Sequence, residues 1–212
     1  QTGSVGMRLS HKLTGLKRGN IQFDADLGAV LQYKHLDYQR NEQSYDIDRH
    51  AYSFRPTLTM EYRSNGKHKW SPELRLNYTG KQQLPNLLNM LQIEDNADPL
   101  NLFRGNASLQ GIYAHQLAFR YGMNQRESGH STYISIQYTR THNDIVASSI
   151  YNAENGGRIY EMVNTNRTHA ANGDVGYNLP LDKNQRFYIT LSVRGNYRQN
   201  ADMSQLNAAT EK

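Results

Sequence analysis

The sequence predicts an all-β protein whose strands form an antiparallel, up-and-down transmembrane β-barrel segment. Three observations predict this fold: apolar and polar residues alternate along about eight segments, tyrosines stand at segment ends, and short connections alternate with long ones. No stretch approaches eighteen consecutive apolar residues, and the mean hydropathy is −0.83, so a transmembrane helix is excluded. The 212 residues predict a single domain over residues 1–212.

The alternation is clearest from Ile21 to Tyr33, where every odd position is apolar and the even positions are mostly polar. A helix would mix the two classes, whereas a strand separates them onto two faces. Runs of about nine to thirteen residues fit a tilted membrane strand, whereas soluble strands average about five or six. The other segments with this period are Val5–Leu9, Tyr52–Arg63, Pro72–Tyr78, Tyr113–Tyr121, Ile134–Thr139, Val175–Leu181 and Phe187–Tyr197.

Tyrosine supplies 15 of the aromatic residues, against 5 phenylalanines and 1 tryptophan. Its ring is apolar and its hydroxyl is polar, which suits a membrane–water interface. A tyrosine-rich soluble β protein would have the same composition, so the positions decide between the two. The tyrosines at segment ends, where an aromatic girdle would place them, are Tyr33, Tyr52, Tyr62, Tyr78, Tyr113, Tyr121 and Tyr197.

The connections between segments follow a regular short–long order, which predicts short periplasmic turns and long extracellular loops. The short ones are Thr14–Asn20, Ser64–Lys67, Asn124–Gly129 and Asp182–Asn184, and the long ones are Gln39–Arg49, Thr79–Gly111 and Thr141–Ala170. The first strand should therefore run from the outside inward. Inside the second long connection, Pro85–Leu91 predicts one short helical turn that packs on the barrel rim.

Charged side chains lie opposite the apolar face, and we expect them to line a hydrated lumen. A charge on the lipid face would cost about 2–4 kcal/mol at the bilayer midplane, and the central apolar positions carry none. The alternative is that this polar face is the solvated outside of a soluble sheet. The predicted lumen-facing residues are Asp24, Asp26, Arg55, Glu61, Arg63, Glu73, Arg75, Arg120, Arg140 and Arg194.

Several classes of protein are excluded or disfavoured. Cysteine is absent, which excludes a disulfide framework, a thiolate nucleophile and a Cys-ligated zinc. No P-loop, GxSxG, HExxH or EF-hand pattern occurs, and the eight histidines stand singly, so we predict no enzyme activity, no cofactor and no metal site. The net charge of +5 comes from scattered Lys and Arg without a basic run, so the expected partner is outer-membrane lipid and not nucleic acid.

The second long connection carries the string LPNLLNMLQIEDNADPLNLFRGN, residues 84–106. It resembles the TonB-dependent transporter superfamily, and within it the outer-membrane β-barrel proteins of Bacteroidetes. Ala107 and Gln110-Gly111 depart from the prolines and the acid of the family pattern, and a weaker match continues through Asn143-Asp144-Ile145 to Gly173. The matching motif residues are Asp95, Asn96, Asp98, Pro99, Leu100, Asn101, Gly105, Asn106 and Leu109.

The resemblance implies a barrel of about 22 strands in the cell outer membrane, with an N-terminal plug that is energised through TonB. It implies uptake of a metal chelate or a glycan, bound by the long loops and the lumen face. This chain shows no plug-like region or TonB-box candidate at its start, and it ends in NAATEK without the aromatic residue of a final barrel strand. We therefore expect part of such a barrel, with the plug and TonB as partners.

The motif also has a purely structural interpretation. Asp and Asn side chains can cap their own backbone, and Pro99 disfavours a helical conformation at Asp98, so the string predicts a turn. Two further protein classes stay open: a small closed barrel with a structural or adhesive role, and a soluble β-sandwich that binds carbohydrate. Strands at the two edges of a barrel segment would be bare, and we expect self-association or closure to cover them.

Overall fold

The computed structural model describes residues 2–40, 43–91, 94–95, 98, 100–200 and 203–207. No helix in these ranges is long and apolar enough to cross a membrane. A single 3₁₀ helix spans Leu87–Met90 in the described chain. The strands are β1 (Thr2–Leu13), β2 (Gly19–Arg40), β3 (Gln43–Ser64), β4 (Trp70–Gln83), β5 (Glu94–Asp95), β6 (Asn101–Arg104), β7 (Ile112–Gln125), β8 (Ser131–His142), β9 (Asp144–Asn152), β10 (Arg158–Thr165), β11 (His169–Pro180), β12 (Tyr188–Gln199) and β13 (Met203–Asn207).

Eight strands form one antiparallel up-and-down sheet in the order β1-β2-β3-β4-β7-β8-β11-β12. These are the eight segments that the period-two pattern predicts, and the predicted fold class is confirmed. The long connections leave from the end of the sheet opposite the short turns, as the loop lengths predict. The short turns, which all lie at one end of the strands, are residues 14–18, 65–69, 126–130 and 181–187.

The strand register gathers the apolar positions onto one face, which we call the apolar face. Leu27 lies opposite Met7 on one side and Pro56 on the other. Many of these side chains point away from the protein: Phe54 is 54% exposed and Val193 is 76% exposed. A contiguous exposed apolar surface of this extent belongs against lipid or another protein rather than water. The other side of the sheet, called the polar face, carries the even-numbered residues of β2.

Strands β2 and β3 are longer than their neighbours because they continue past the sheet as a projecting hairpin, residues 33–40 and 43–50. Their ladder runs unbroken to the pair Arg40 and Gln43, whereas β1 stops pairing with β2 at Gln32. The predicted long polar loop from Gln39 to Arg49 is therefore wrong. Polar residues there still alternate strictly with Ile47 and Tyr45, and period two, not polarity, decides the conformation.

The other two long connections contain most of a second sheet, β13-β9-β10-β6-β5, which we call the cap. Strands β9 and β10 form an antiparallel hairpin, while β6 and β13 join it in parallel. The sequence does not predict these strands. The predicted helical turn in Pro85–Leu91 is confirmed as the 3₁₀ helix. A small apolar core consists of Leu87, Met90 and Leu109, with Leu36, Ile47, Ile145 and Met162 packed against it.

Candidate functional site

All but one of the ten predicted lumen-facing residues share the polar face of the sheet. They lie between the middle of the sheet and the end that carries the short turns, so the sheet brings together charges that are far apart in sequence. Arg8 and Asp174 join them, opposite Asp26 and Arg194 respectively. The nine residues on this face are Asp24, Asp26, Arg55, Glu61, Arg63, Glu73, Arg75, Arg120 and Arg194.

The prediction for Arg140 is wrong, because this residue lies on the apolar face. Its cross-strand partners are His115 and His169, and period two places it on the same side as Ile136 and Tyr138. The pair Tyr33 and His50 marks the outer end of the apolar band on this face. Within that band, Arg140 is the sole Asp, Glu, Lys or Arg among the described residues of the apolar face. It lies at the outer end of that band, where a guanidinium can reach headgroups.

Glu61 is the centre of an ion-pair network on the polar face. Its carboxylate accepts from Arg63 Nη2 at 3.1 Å and lies 3.3 Å from Arg75 Nη1, and its side chain is only 17% exposed. Arg75 stands directly opposite Arg120, an arrangement that destabilises a sheet unless a carboxylate compensates. A cleft of about 330 Å³ lies over these residues, lined also by Glu73, Asn124, Ser131 and Tyr133.

Three polar atoms on the same face lack a partner within the part of the chain that the structure describes. Arg55 Nε, Ser53 Oγ and Ser71 Oγ are shielded from solvent and reach no hydrogen-bonding group there. Buried polar groups are normally satisfied, because leaving one unpaired costs about 1–3 kcal/mol. The polar face therefore carries one unsatisfied, solvent-shielded donor at Arg55, at the height where β3 leaves β4.

Aromatic and imidazole rings form a belt at each end of the apolar face. At the outer end, ring centroids are 4.7 Å apart for Tyr113 and His115 and 5.5 Å apart for His115 and His142. Twelve steps of β2 separate Ile21 from Tyr33, about 40 Å of strand, or about 28 Å across a bilayer at a 45° tilt. That matches the ~25 Å apolar band of outer-membrane barrels. The inner belt holds Tyr62, Trp70, Tyr121, Tyr177 and Phe187.

Beyond this band, the two faces of the projecting hairpin exchange polarity. The side that continues the apolar face carries His35, Asp37, Asp46 and Asp48. The side that continues the polar face carries Leu36 and Ile47, which pack against the core of the cap. A charge is tolerated in water or among headgroups but not against hydrocarbon, so a lipid-facing surface on this side would end where the polarity exchanges.

Two cations fix the hairpin to the loop that it supports. Lys34 Nζ donates to the carbonyls of Leu84 at 3.2 Å and Pro85 at 3.1 Å. Arg49 Nη2 donates to the carbonyl of Ala107 at 2.7 Å. Charged donors make strong hydrogen bonds, so these contacts hold both ends of the second long connection against β2 and β3.

The described motif residues act within the cap. Asp98 accepts from the Leu100 N–H at 3.0 Å and from Asn101 Nδ2 at 2.8 Å, which closes an Asx turn and lowers the pKa of the Asp98 carboxyl. A Cβ at Gly105 would collide with the carbonyl of Leu91, so only glycine fits. Asp95 belongs to β5, whereas Asn96 and Pro99 lie outside the described residues.

Two asparagines join the long connections to one another. Asn106 Nδ2 donates to the Met162 carbonyl at 2.9 Å. Asn164 Oδ1 accepts from the Gln110 N–H at 2.8 Å, and its Nδ2 donates to the Asn143 carbonyl at 2.7 Å. In the described part of the cap, these hydrogen bonds connect the motif to the third long connection.

A cluster that the sequence does not predict lies on the outward side of the projecting hairpin. His35 Nδ1 is 2.9 Å from Asp48 Oδ1 and 3.2 Å from Asp46 Oδ1, and Tyr33 donates to the same Asp48 oxygen at 2.7 Å. The hydrogen bond to Asp48 raises the pKa of His35, and the bonds from Tyr33 and His35 lower the pKa of Asp48. Only the ladder between β2 and β3 brings these groups together.

The cap contains a mostly apolar cleft of about 310 Å³. Phe103 and Tyr160 stack in its wall with centroids 5.1 Å apart, and Arg104 Nη2 donates to Glu161 at 3.0 Å beside them. Stacked rings next to a charged pair suit a small ligand with one apolar face and polar edges. Tyr38, from the projecting hairpin, also lines this cleft.

Comparison with known proteins gives one match. A family model described as "Outer membrane protein beta-barrel family" matches residues 15–211. The match covers β2 to β13, and so includes both the cap and all of the eight-stranded sheet except β1. Neither the search of curated proteins nor the search of solved structures finds a match.

Proposed function

The chain belongs to the outer membrane protein β-barrel family. From that membership we propose that it forms part of the barrel wall of a nutrient transporter in the cell outer membrane. The family excludes the soluble β-sandwich as the fold. The observation that carries the proposal is the charged polar face, with the Glu61 network and its open cleft, on a sheet whose other face is exposed and apolar.

In this proposal the apolar face contacts lipid and the polar face lines a hydrated lumen. The Arg and Glu side chains of β3, β4 and β7 then contact water, a plug or a passing solute. By its resemblance to TonB-dependent transporters, the protein takes up a metal chelate or a glycan with a plug and TonB as partners.

The cap, with its stacked Phe103 and Tyr160, is the proposed first contact for the solute. The cap lies at the end of the sheet that carries the long connections, which is the extracellular end of an outer-membrane barrel. Rings of this kind can stack on the apolar face of a sugar or of an aromatic chelator. The Arg104–Glu161 pair offers polar groups next to them.

The sheet has two unpaired edges in the described structure, β1 and β12. An open edge cannot face hydrocarbon, because its N–H and C=O groups would be unsatisfied. We therefore propose that other strands of the protein or a second copy pair with them. A small closed barrel with a structural or adhesive role is the alternative, and it would pair β1 with β12.

Solvent access to single cysteines tests the two faces. The chain has no cysteine, so Gln116→Cys on the polar face and Leu117→Cys on the apolar face each introduce the only thiol. In membranes from cells that produce the full protein, a membrane-impermeant maleimide should label the first variant and leave the second unlabelled. Equal labelling of both variants would contradict a lumen face and a lipid face.

Uptake by whole cells tests the transport step. Cells with the gene should accumulate a radiolabelled metal chelate or glycan faster than cells without it, and collapse of the proton-motive force should abolish the difference. Phe103→Ala should raise the half-saturating solute concentration. Phe187→Ala, at the end of the sheet that carries the short turns, should leave it unchanged. Uptake that survives uncoupling would rule out energisation through TonB.

A further inference from the structure

We propose that the outward side of the projecting hairpin binds a divalent transition-metal ion through His35, Asp46 and Asp48. One ligand atom from each of these residues lies within 4.8 Å of the others. None of them belongs to the cap cleft or to the polar face. The site is independent of the proposed transport function.

The distances between the donor atoms fit a metal with little movement. Metal–ligand bonds of about 2.0–2.2 Å in a tetrahedral site place ligand atoms about 3.4 Å apart. His35 Nδ1 is already 3.2 Å from Asp46 Oδ1 and 2.9 Å from Asp48 Oδ1. The two distances from His35 therefore need to lengthen by only a few tenths of an ångström, and the two carboxylate oxygens lie within 4.8 Å of each other.

The donor set selects the class of metal. One imidazole nitrogen with two carboxylate oxygens suits Zn²⁺ or a neighbouring transition metal, whereas Ca²⁺ and Mg²⁺ prefer oxygen ligands alone. The three side chains are about half exposed, between 46% and 68%, which leaves a coordination position open to water or to an external ligand. The adjacent Asp37 adds negative charge on the same side.

Neighbouring groups hold the ligands in place. Tyr33 donates to Asp48 at 2.7 Å, and a hydrogen bond to a ligating carboxylate from a residue outside the ligand set fixes its orientation. The opposite side of the hairpin is packed on the cap through Leu36 and Ile47. Lys34 and Arg49 bind loop carbonyls next to this contact, so the ladder beneath the site is fixed on one side.

Zinc binding to the full chain, folded in detergent micelles, tests the site. Isothermal titration with ZnCl₂ should show one ion per chain with a Kd below about 10 µM. His35→Gln, Asp46→Asn and Asp48→Asn should each weaken binding more than about tenfold. Asp37→Asn is the matched control, since it removes the same charge from the same side but no proposed ligand, and its Kd should stay within about threefold.

A second measurement separates a metal site from a simple ion pair. Co²⁺ should give visible absorption bands that require His35, because nitrogen ligation changes the spectrum of the aqueous ion. Zinc binding that is equally tight in His35→Gln, or a parent protein that binds Ca²⁺ as well as Zn²⁺, would overturn the proposal. Binding too weak to detect below 1 mM (~4 kcal/mol) would show an ion pair only. None of these results bears on solute uptake.

Discussion

The contacts of single residues in and beside the cap account for the residue types found in the sequence motif. Gly105 leaves room for the carbonyl of Leu91, and Asn106 and Asn164 make hydrogen bonds between segments that are far apart in sequence. A small residue and two amides at these places fix how the long connections meet. The same string in the sequence resembles a family motif, and the structure gives its described residues an architectural role.

Gly105→Ala should destabilise the cap while leaving the eight-stranded sheet intact. The added methyl group meets backbone, which cannot move aside as a flexible side chain could, and overpacking of this kind costs about 1–3 kcal/mol. Hydrogen exchange should become faster in residues 84–91 and 101–111. Gly195→Ala, whose Cβ would meet nothing within 4 Å, is the control and should exchange like the parent protein.

Asp182 makes the β11–β12 turn sensitive to acid. Its carboxylate accepts from the Phe187 N–H at 2.9 Å, and the backbone bonds lower its pKa below the usual 3.8. A lowered folded pKa means that the carboxylate stabilises the turn above about pH 4, and that this contribution is lost as the pH falls through the folded pKa. Arg186 Nε, 3.5 Å away, adds an attraction of the same sign.

Asp182→Asn should therefore lower the stability of the turn at pH 7, and the difference from the parent should shrink as the pH falls below the usual carboxyl pKa of 3.8 and through the lowered folded pKa. The measurement is the urea midpoint of the folded protein in vesicles between pH 2 and 7. Glu127→Gln, in the turn between β7 and β8, controls for loss of a carboxylate from a short turn. A constant difference between Asp182→Asn and the parent at every pH would contradict the assignment.

At the scale of the element, each strand is defined by which residues face which side. Strand β7 shows this well, because Leu117 is exposed on the apolar face and Ala118 lies opposite Asn77 and Gln137 on the polar face. The projecting hairpin shows that the rule changes with height. Past Tyr33, the same side of the same strand carries His35, a side chain that suits water or headgroups and not hydrocarbon.

An arginine at Leu117 should be far more harmful than one at Ala118. Leu117 is midway between Tyr113 and Tyr121, so Leu117→Arg places a charge near the bilayer midplane at a cost of about 2–4 kcal/mol. Ala118→Arg places its charge on the polar side and should cost less than about 1 kcal/mol, because substitutions on a hydrated surface change stability little. Urea unfolding in lipid vesicles measures both. Similar losses in the two variants would show that β7 does not separate lipid from lumen.

At the scale of the whole molecule, the eight-stranded sheet is open in the described chain, and most of the cap is built from its long connections. Strands β1 and β12 are the outermost strands and do not pair with each other in the described chain. The side chains of both strands are exposed along their whole length. The complete wall therefore depends on which strands pair with these two edges.

Disulfide trapping distinguishes an open wall from a small closed barrel. Met7→Cys on β1 is combined in turn with Leu191→Cys, Val193→Cys or Gly195→Cys on β12, in a chain that has no other thiol. We expect no intramolecular disulfide, because paired strands would be needed to bring Cβ atoms within about 5.5 Å. Rapid formation of a monomeric disulfide in any pair would support the closed eight-stranded barrel.

The sequence by itself determined the eight long strands, their antiparallel order and their two faces. It could do so because strand periodicity and turn chemistry are local, and because a one-residue slip would reverse every side chain. Leu27 and Asp26 are assigned to opposite faces without any tertiary information. Arg140 follows the same rule, and its misplacement was an error of parity that the register corrects.

Only the tertiary structure decided the features that depend on long-range pairing. The ladder between β2 and β3 turned a predicted polar loop into a hairpin and brought His35 to Asp46 and Asp48. The cap combines β6 with β10 in parallel, across a long separation in the chain. Composition and period describe each segment alone, whereas a site that needs two segments depends on the register between them.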